Sequence, residues 1–312
     1  MSANLFDVQQ KEKRFLVLDG GLASELEAHG LTLHDSLWSA RALADNPSLV
    51  QKVHASYLEA GADIIVTSSY QATHQGFHAH GFDRQQGDRL LQTSVALARQ
   101  AIQEHLATDS RSAPVLAASV GSYGAFLNDG SEYRGKFGLS EHELADFHRD
   151  RLKTIASCNP DVFACETLPC LLEARALVTR LLPEVGIPAW LSFTCQNTTT
   201  TAGGDAIEAC AALAEESAHV LAVGVNCTSP DLCVDLLQKM RRETSKPLLV
   251  YPNRGEAWNS ENRQFERSAC APLPTYVEAF VDAGATIIGG CCRTSPDDIR
   301  SIARASELGH QG

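Results

Sequence analysis

Eight short apolar runs recur along this 312-residue chain, and their serial repetition constrains the fold more than any other feature. They are FLVLD (Phe15 to Asp19), DIIVT (Asp63 to Thr67), PVLAASV (Pro114 to Val120), DVFACE (Asp161 to Glu166), PAWLSF (Pro188 to Phe193), HVLAVGVNC (His219 to Cys227), PLLVY (Pro247 to Tyr251) and ATIIGG (Ala285 to Gly290). The runs are continuously apolar instead of alternating, which points to strands buried on both faces, as in a parallel sheet covered by helices. Polar or glycine-rich residues follow each run, and then a helix-length amphipathic stretch. In YLEAGAD, EVGIP and FVDAGAT a glycine stands where a helix would end, just before the next strand. Eight such units in series predict an α/β fold of the (β/α)8 TIM-barrel type. A doubly wound open sheet would normally carry G-x-G-x-x-G after its first strand, and this chain has LDGGLASELEAHG there.

Barrels of this kind commonly run to about 250 residues or more as one domain. No low-complexity linker divides the sequence, so residues 1–312 read as a single domain. The formal net charge of -12 comes from interspersed residues, which argues against nucleic acid and anionic membrane surfaces as partners and leaves small molecules. The N-terminus lacks the apolar segment of a signal peptide, and no run of about 18 apolar residues exists, so a cytoplasmic location is expected. In that compartment the ten cysteines are free thiols, metal ligands or catalytic groups, not a disulfide framework.

In a barrel the chemistry sits where strands end and βα loops begin. Those ends carry Asp19, Thr67, Gly121 to Tyr123, Glu166, Asn226 with Cys227, Asn253, and Cys291 with Cys292. The adjacent pair Cys291 and Cys292 is the odd feature, because neighbours on a regular strand point to opposite faces. Packing, a redox couple and a metal grip are the three roles open to it. Gly289 and Gly290 would let the backbone bend so that both thiols face one point. With Cys227 they would then offer three sulfurs to a soft or borderline metal, zinc being the commonest, and leave a fourth position open. Such a centre deprotonates a substrate thiol while keeping it nucleophilic, and its negative charge favours a cationic methyl donor. Asp19 and Glu166 would hold the ammonium of an amino-acid thiol, unless they merely cap helices. Trp38, Tyr70 and Tyr123 offer cation–π contact to a sulfonium, or simply pack. Cys158, Cys165, Cys170, Cys195, Cys210, Cys233 and Cys270 read as small buried hydrophobes. The eleven histidines lack metal-binding spacing. The segment Thr198 to Gly204 reads as a loop after the fifth strand, either a lid or a surface connection.

Eight ordered segments, VLDGGLASELEAHG, DSLWSA, YLEAGADIIVTSSYQAT, SVGSYGAFLNDGSEYRG, CETLP, GVNCTSP, YPNRGE and IGGCCRTSP, resemble the zinc-dependent homocysteine S-methyltransferases. The likeness runs from about Leu16 to about Ile302 and is greatest to members using S-methylmethionine. The resemblance implies zinc ligands at Cys227, Cys291 and Cys292, and a homocysteine site with Asp19, Glu166 and Thr67, to which Asn226 is added as a neighbour. It further implies methyl transfer from S-methylmethionine, with S-adenosylmethionine as a weaker donor. Betaine as donor, or a zinc-binding thiol-redox sensor without catalysis, are the alternatives. A folate- and cobalamin-dependent synthase would need further domains. Ser122 stands where relatives tend to have proline and Arg254 where they tend to have serine, and QNTTTTAGGD departs from the usual loop.

Overall fold

The computed structural model describes residues 5–6, 13–31, 37–108, 112–254, 257–259, 264–266 and 270–307. Of these, Trp38, Ser39, 257–259 and 264–266 are described by backbone alone. All eight expected runs are strands: β1 (Leu16–Val17), β2 (Ile64–Val66), β3 (Val115–Gly121), β4 (Val162–Leu168), β5 (Ala189–Phe193), β6 (Val220–Asn226), β7 (Leu248–Tyr251) and, last in the chain, β10 (Ala285–Ile288). Between β7 and β10 lies a short antiparallel pair, β8 (Ala257–Asn259) and β9 (Gln264–Glu266), whose three-residue strands left no apolar run in the sequence. The eight parallel strands follow the order β1-β10-β7-β6-β5-β4-β3-β2. A parallel bridge between Leu18 and Ile64 closes the ring, with Asp63 N–H donating to Val17 O at 2.7 Å. The result is a (β/α)8 barrel.

Continuous apolar strands have two buried faces, and the packing divides accordingly. Leu16, Leu18, Ile64, Ala117, Ala164, Trp190, Leu249 and Ile287 form an inner cluster, whereas Val17, Ile65, Ala118, Cys165, Leu191 and Ile288 belong to the outer one under the helices. Phe6 lies against Trp190, ring centroids 6.2 Å apart. The major helices are α1 (Leu22–Ala28), α2 (Pro47–Glu59), α3 (Arg84–Leu106), α4 (Glu141–Ala156), α5 (Leu171–Ala176), α6 (Ile207–Glu216), α7 (Pro230–Glu243), α8 (Val277–Asp282) and α9 (Pro296–Glu307). Gly61, Gly186 and Gly284 have φ of 103°, 69° and 95°, so the chain leaves those helices through a left-handed residue that only glycine adopts cheaply. Among the described residues no helix is long and apolar enough to cross a membrane. Ser122 proves to be an N-cap, its Oγ accepting Ala125 N–H at 3.3 Å. The loop from Thr198 is pinned: Thr201 N–H donates to Asp205 O, Ala202 N–H to Thr194 O and Gly203 N–H to Pro169 O, at 2.7 to 2.8 Å. Those bonds make it a fixed surface connection.

Candidate active site

Strand β10 stops at Ile288, three residues before the first thiol, so alternation along a strand does not govern Cys291 and Cys292. The backbone instead enters a tight turn in which Cys291 O accepts Thr294 N–H at 3.2 Å and Thr294 Oγ1–H at 2.6 Å, with Arg293 at φ 66°. The bend therefore lies at Cys292 and Arg293, after the two glycines, and Gly289 and Gly290 serve a different purpose from the one expected. A Cβ on Gly289 would stand 2.6 Å from Leu18 Cβ, and one on Gly290 2.3 Å from Thr294 Oγ1. Both glycines permit close approach, with no positive φ involved.

On the other side of the barrel mouth β6 ends at Asn226, and Cys227 takes φ 48°. A non-glycine residue in that region stores strain, which a surrounding structure must hold in place. It turns the Cys227 sulfur to within 2.8 Å of Cys291 Sγ and 3.6 Å of Cys292 Sγ, and the latter two are 4.0 Å apart. All three are free thiols, and no histidine or carboxylate joins the group among the described residues. Metal–sulfur bonds of about 2.3 Å in a tetrahedral site set sulfurs about 3.8 Å apart, so two separations match and the closest pair has about 1 Å to open. This three-cysteine cluster is able to hold a metal ion. Hydrogen bonds from Cys291 and Cys292 hold the Cys227 thiol well below its ordinary pKa despite burial.

The thiols form one wall of a cavity of about 110 Å³ that Asp19, Thr67, Tyr70, Glu166 and Asn226 also line. Asp19 is buried, and its Oδ2 accepts Val66 N–H at 2.8 Å. Glu166 Oε1 accepts the Ser119 hydroxyl, and Oε2 accepts Tyr251 Oη–H at 3.1 Å. Neither carboxylate caps a helix, and neither is in an ion pair among the described residues. Burial pushes Asp19 well above the usual carboxylate range, with Val66 N–H opposing and Glu166 adding to the rise. Burial likewise pushes Glu166 up to about 7 against its two hydroxyl donors. Two buried acids without a cation are expensive to keep ionised, so a cationic ligand that enters here removes a cost already present.

A pH dependence follows. Below about pH 7 Glu166 is protonated in the empty site and cannot accept an ammonium as an anion, so kcat/KM for a thiol amino acid should fall as pH drops through 7. In Glu166→Gln that limb should flatten, and an unchanged profile would assign the ionisation elsewhere.

The other residues singled out by sequence separate into two groups. Thr67 is fixed, its Oγ1 accepting Ser119 N–H at 3.0 Å and lying 2.7 Å from Ser69 Oγ. Asn226 clamps its neighbour across the mouth: Oδ1 accepts Thr167 N–H at 2.8 Å, Nδ2 donates to Thr167 Oγ1 at 2.7 Å, and Nδ2 lies 3.9 Å from Cys291 Sγ. It holds Thr167 at φ 55° and so acts mainly as a positioning residue. Tyr123 does not line the cavity. Its ring packs on Phe126, Phe137 and Phe147, 4.9 to 5.8 Å between centroids, and its N–H donates to Glu173 at 2.6 Å. Trp38 begins a turn of 3-10 helix, and its side chain lies outside the described residues. Asn253, at the end of β7, has a buried Oδ1 without a partner. Cys165, Cys170, Cys195, Cys210 and Cys233 are buried, while Cys158 and Cys270 are partly exposed.

Sequence reasoning passed over Ser119 and Tyr251, which hold Glu166, and Tyr133, whose hydroxyl lies 3.9 Å from Cys227 Sγ. The signal for the first two was present as polar atoms inside otherwise apolar strand runs.

The comparisons with known proteins agree with this geometry. A family model described as homocysteine S-methyltransferase matches residues 16–306. Homocysteine S-methyltransferase 4 of Zea mays is 48% identical over 306 residues, covering 93% of this chain and 88% of that protein. A selenocysteine Se-methyltransferase of Brassica oleracea var. italica is 44% identical, covering 92% and 88%. Among solved structures, the metallated form of the homocysteine methyltransferase MmuM from Escherichia coli superposes with a TM-score of 0.87 at 40% identity, covering 96% of this chain and 99% of that one. The chain belongs to the homocysteine S-methyltransferase family.

Proposed function

We propose that this chain, acting as one homocysteine-binding barrel domain over residues 1–312, transfers a methyl group from S-methylmethionine to the sulfur of L-homocysteine, forming methionine. One juxtaposition carries the reading: three converging thiols share a cavity with two buried carboxylates that have no cation partner among the described residues. Cys227, Cys291 and Cys292 hold zinc, a choice supported by an all-sulfur donor set with one position left open. Zinc bound there makes the acceptor thiol acidic enough to lose its proton at neutral pH while its sulfur stays nucleophilic.

The chain's own residues supply position. Asp19 and Glu166 accept hydrogen bonds from the acceptor ammonium, which ties the amino acid down at the end away from its thiol. Ser119 and Tyr251 keep the Glu166 carboxylate aimed, and Asn226 with Thr167 fixes the rim beside Cys291. The donor's sulfonium–methyl bond breaks with the electron pair staying on the departing sulfur, and the carbon bonds to the acceptor sulfur. The leaving group is a neutral thioether, so no general acid is needed, and no histidine lines the cavity among the described residues. The acidic pair has no task in a thiol-redox sensor. The single barrel carries no separate nucleotide-binding domain among the described residues, which suits a small donor, so S-adenosylmethionine should be the weaker substrate.

Methionine formation from L-homocysteine should be measured with S-methylmethionine, S-adenosylmethionine and betaine in turn. Faster turnover with S-methylmethionine is expected. Absence of transfer from either sulfonium would overturn the proposal, and transfer from betaine alone would replace the donor. Selenocysteine, one methylene shorter, should be accepted about 10- to 200-fold less well than homocysteine if chain length is read by the Asp19 and Glu166 clamp.

A further inference from the structure

The turn of 3-10 helix Ser131–Tyr133 brings to the thiols two side chains to which the steps above give no task. Its shape is held from several sides. Gly130 takes φ 80°, Ser131 N–H donates to Asp129 Oδ1 at 2.9 Å, and the Arg134 guanidinium donates to Asp129 O at 3.1 Å and Ser131 Oγ at 3.2 Å. Gly124 faces the turn so closely that a Cβ there would stand 2.3 Å from Glu132 N. The Gln196 amide donates to Tyr133 O at 2.5 Å.

So fixed, the turn sets Tyr133 Oη 3.9 Å from Cys227 Sγ and leaves one oxygen of the half-buried Glu132, Oε2, buried without a hydrogen-bond partner among the described residues. The adjacent cation, Arg134, directs its bonds to Asp129 and Ser131. Burial pushes Glu132 up to about 7, with Cys227 and Asp129 adding to the rise and Arg134 opposing it, so the carboxylate lies within electrostatic range of the thiols. The thiols are thus flanked by two acidic poles, and the acceptor ammonium satisfies only one. A half-buried carboxylate with one oxygen unpartnered among the described residues is stabilised by a cation that reaches it.

We propose that Glu132, with the rings of Tyr70 and Tyr133, forms the subsite that receives the positively charged sulfonium of the methyl donor. The inference rests on the function proposed above and gives it a residue that selects for donor charge. Carboxylate and aromatic faces together suit a cation carrying methyl groups, which has no N–H to donate. The donor enters charged at sulfur and leaves neutral, so the subsite attracts substrate and releases product. Its attraction is strongest before transfer, so its loss should raise KM and should not lower kcat.

Glu132→Gln keeps the shape and removes the charge. The KM for S-methylmethionine should rise about 10- to 100-fold, the loss of one close charge interaction in a partly buried site. The kcat should stay within about threefold, and the KM for homocysteine and the zinc per chain should not change. Methyl iodide, a neutral methyl source, should react in variant and wild type at rates within about threefold of each other, because the charge term is absent. Binding of trimethylsulfonium ion in the presence of homocysteine, followed by calorimetry, should weaken by the same factor as the donor KM. An unchanged donor KM, an equal loss with methyl iodide, or a loss of zinc would each overturn the subsite. A wild-type protein that forms no methionine defeats both proposals, whereas normal wild-type turnover with an unaltered donor KM in Glu132→Gln defeats this one alone.

Discussion

Replacing Cys227 with alanine should lower kcat/KM for methionine formation by about 10³-fold or more, since both activation of the acceptor sulfur and its placement beside the donor are lost. Cys227 is the hinge of the thiol cluster. It lies 2.8 and 3.6 Å from the other two sulfurs, which lie 4.0 Å from each other, and its thiol is the one held low by its neighbours. Alanine keeps the Cβ and the backbone bond from Cys227 N–H to Tyr251 O, so the fold should survive with a loss of about 1–2 kcal/mol. Thermal melting of the variant checks that half of the expectation. A variant that melts like the wild type and still methylates homocysteine at a comparable rate would remove Cys227 from the reaction.

The second large effect belongs to the acidic pair. Asp19→Asn and Glu166→Gln should each raise the KM for homocysteine by about 10²-fold, the loss of one partner of a buried charge-assisted contact. In the proposed reaction both contact the same ammonium, so the double variant should lose less than the product of the two. Saturating homocysteine should recover most of kcat. Glu166→Gln also carries a stability signature. The Glu166 carboxyl sits at about 7 in the folded protein, above its unfolded value. Its ionised form therefore disfavours the folded state, a penalty that grows as pH rises from the unfolded value towards 7. At pH 8 the Gln variant without substrate should gain up to about 3 kcal/mol over the wild type relative to the same comparison at pH 4. A melting difference that does not change with pH would contradict this.

The barrel was legible because burial on both faces writes itself as uninterrupted apolar runs, and because the helix-ending glycines Gly61, Gly186 and Gly284 take the positive φ that their position announces. Three thiols at strand ends were legible for the same topological reason, since every strand end opens on one mouth. What the sequence concealed was local geometry. Gly289 and Gly290 look like hinges, yet the turn that aims Cys291 and Cys292 is made after them, at Cys292 and Arg293. Tyr123 looked like a site aromatic from its place after β3, but three phenylalanines from outside that segment or further along it draw its ring away. Ser119 and Tyr251 support Glu166 only because Gly121 pairs with Glu166 in the β3–β4 register and the barrel interior brings β7 across to it. Such contacts depend on closure of the ring, which no stretch of sequence contains. The β8–β9 hairpin escaped because three residues are too few for a period to appear.

In the proposed reaction three thiols, one after β6 and two after β10, hold one catalytic zinc. Zinc per chain, measured on purified wild type and on Cys291→Ala together with methionine formation from homocysteine and S-methylmethionine, tests it most directly. About one zinc per chain is expected in the wild type and near zero in the variant, with activity lost in step. Zinc content unchanged in the variant, or full activity in wild type stripped of zinc, would contradict it.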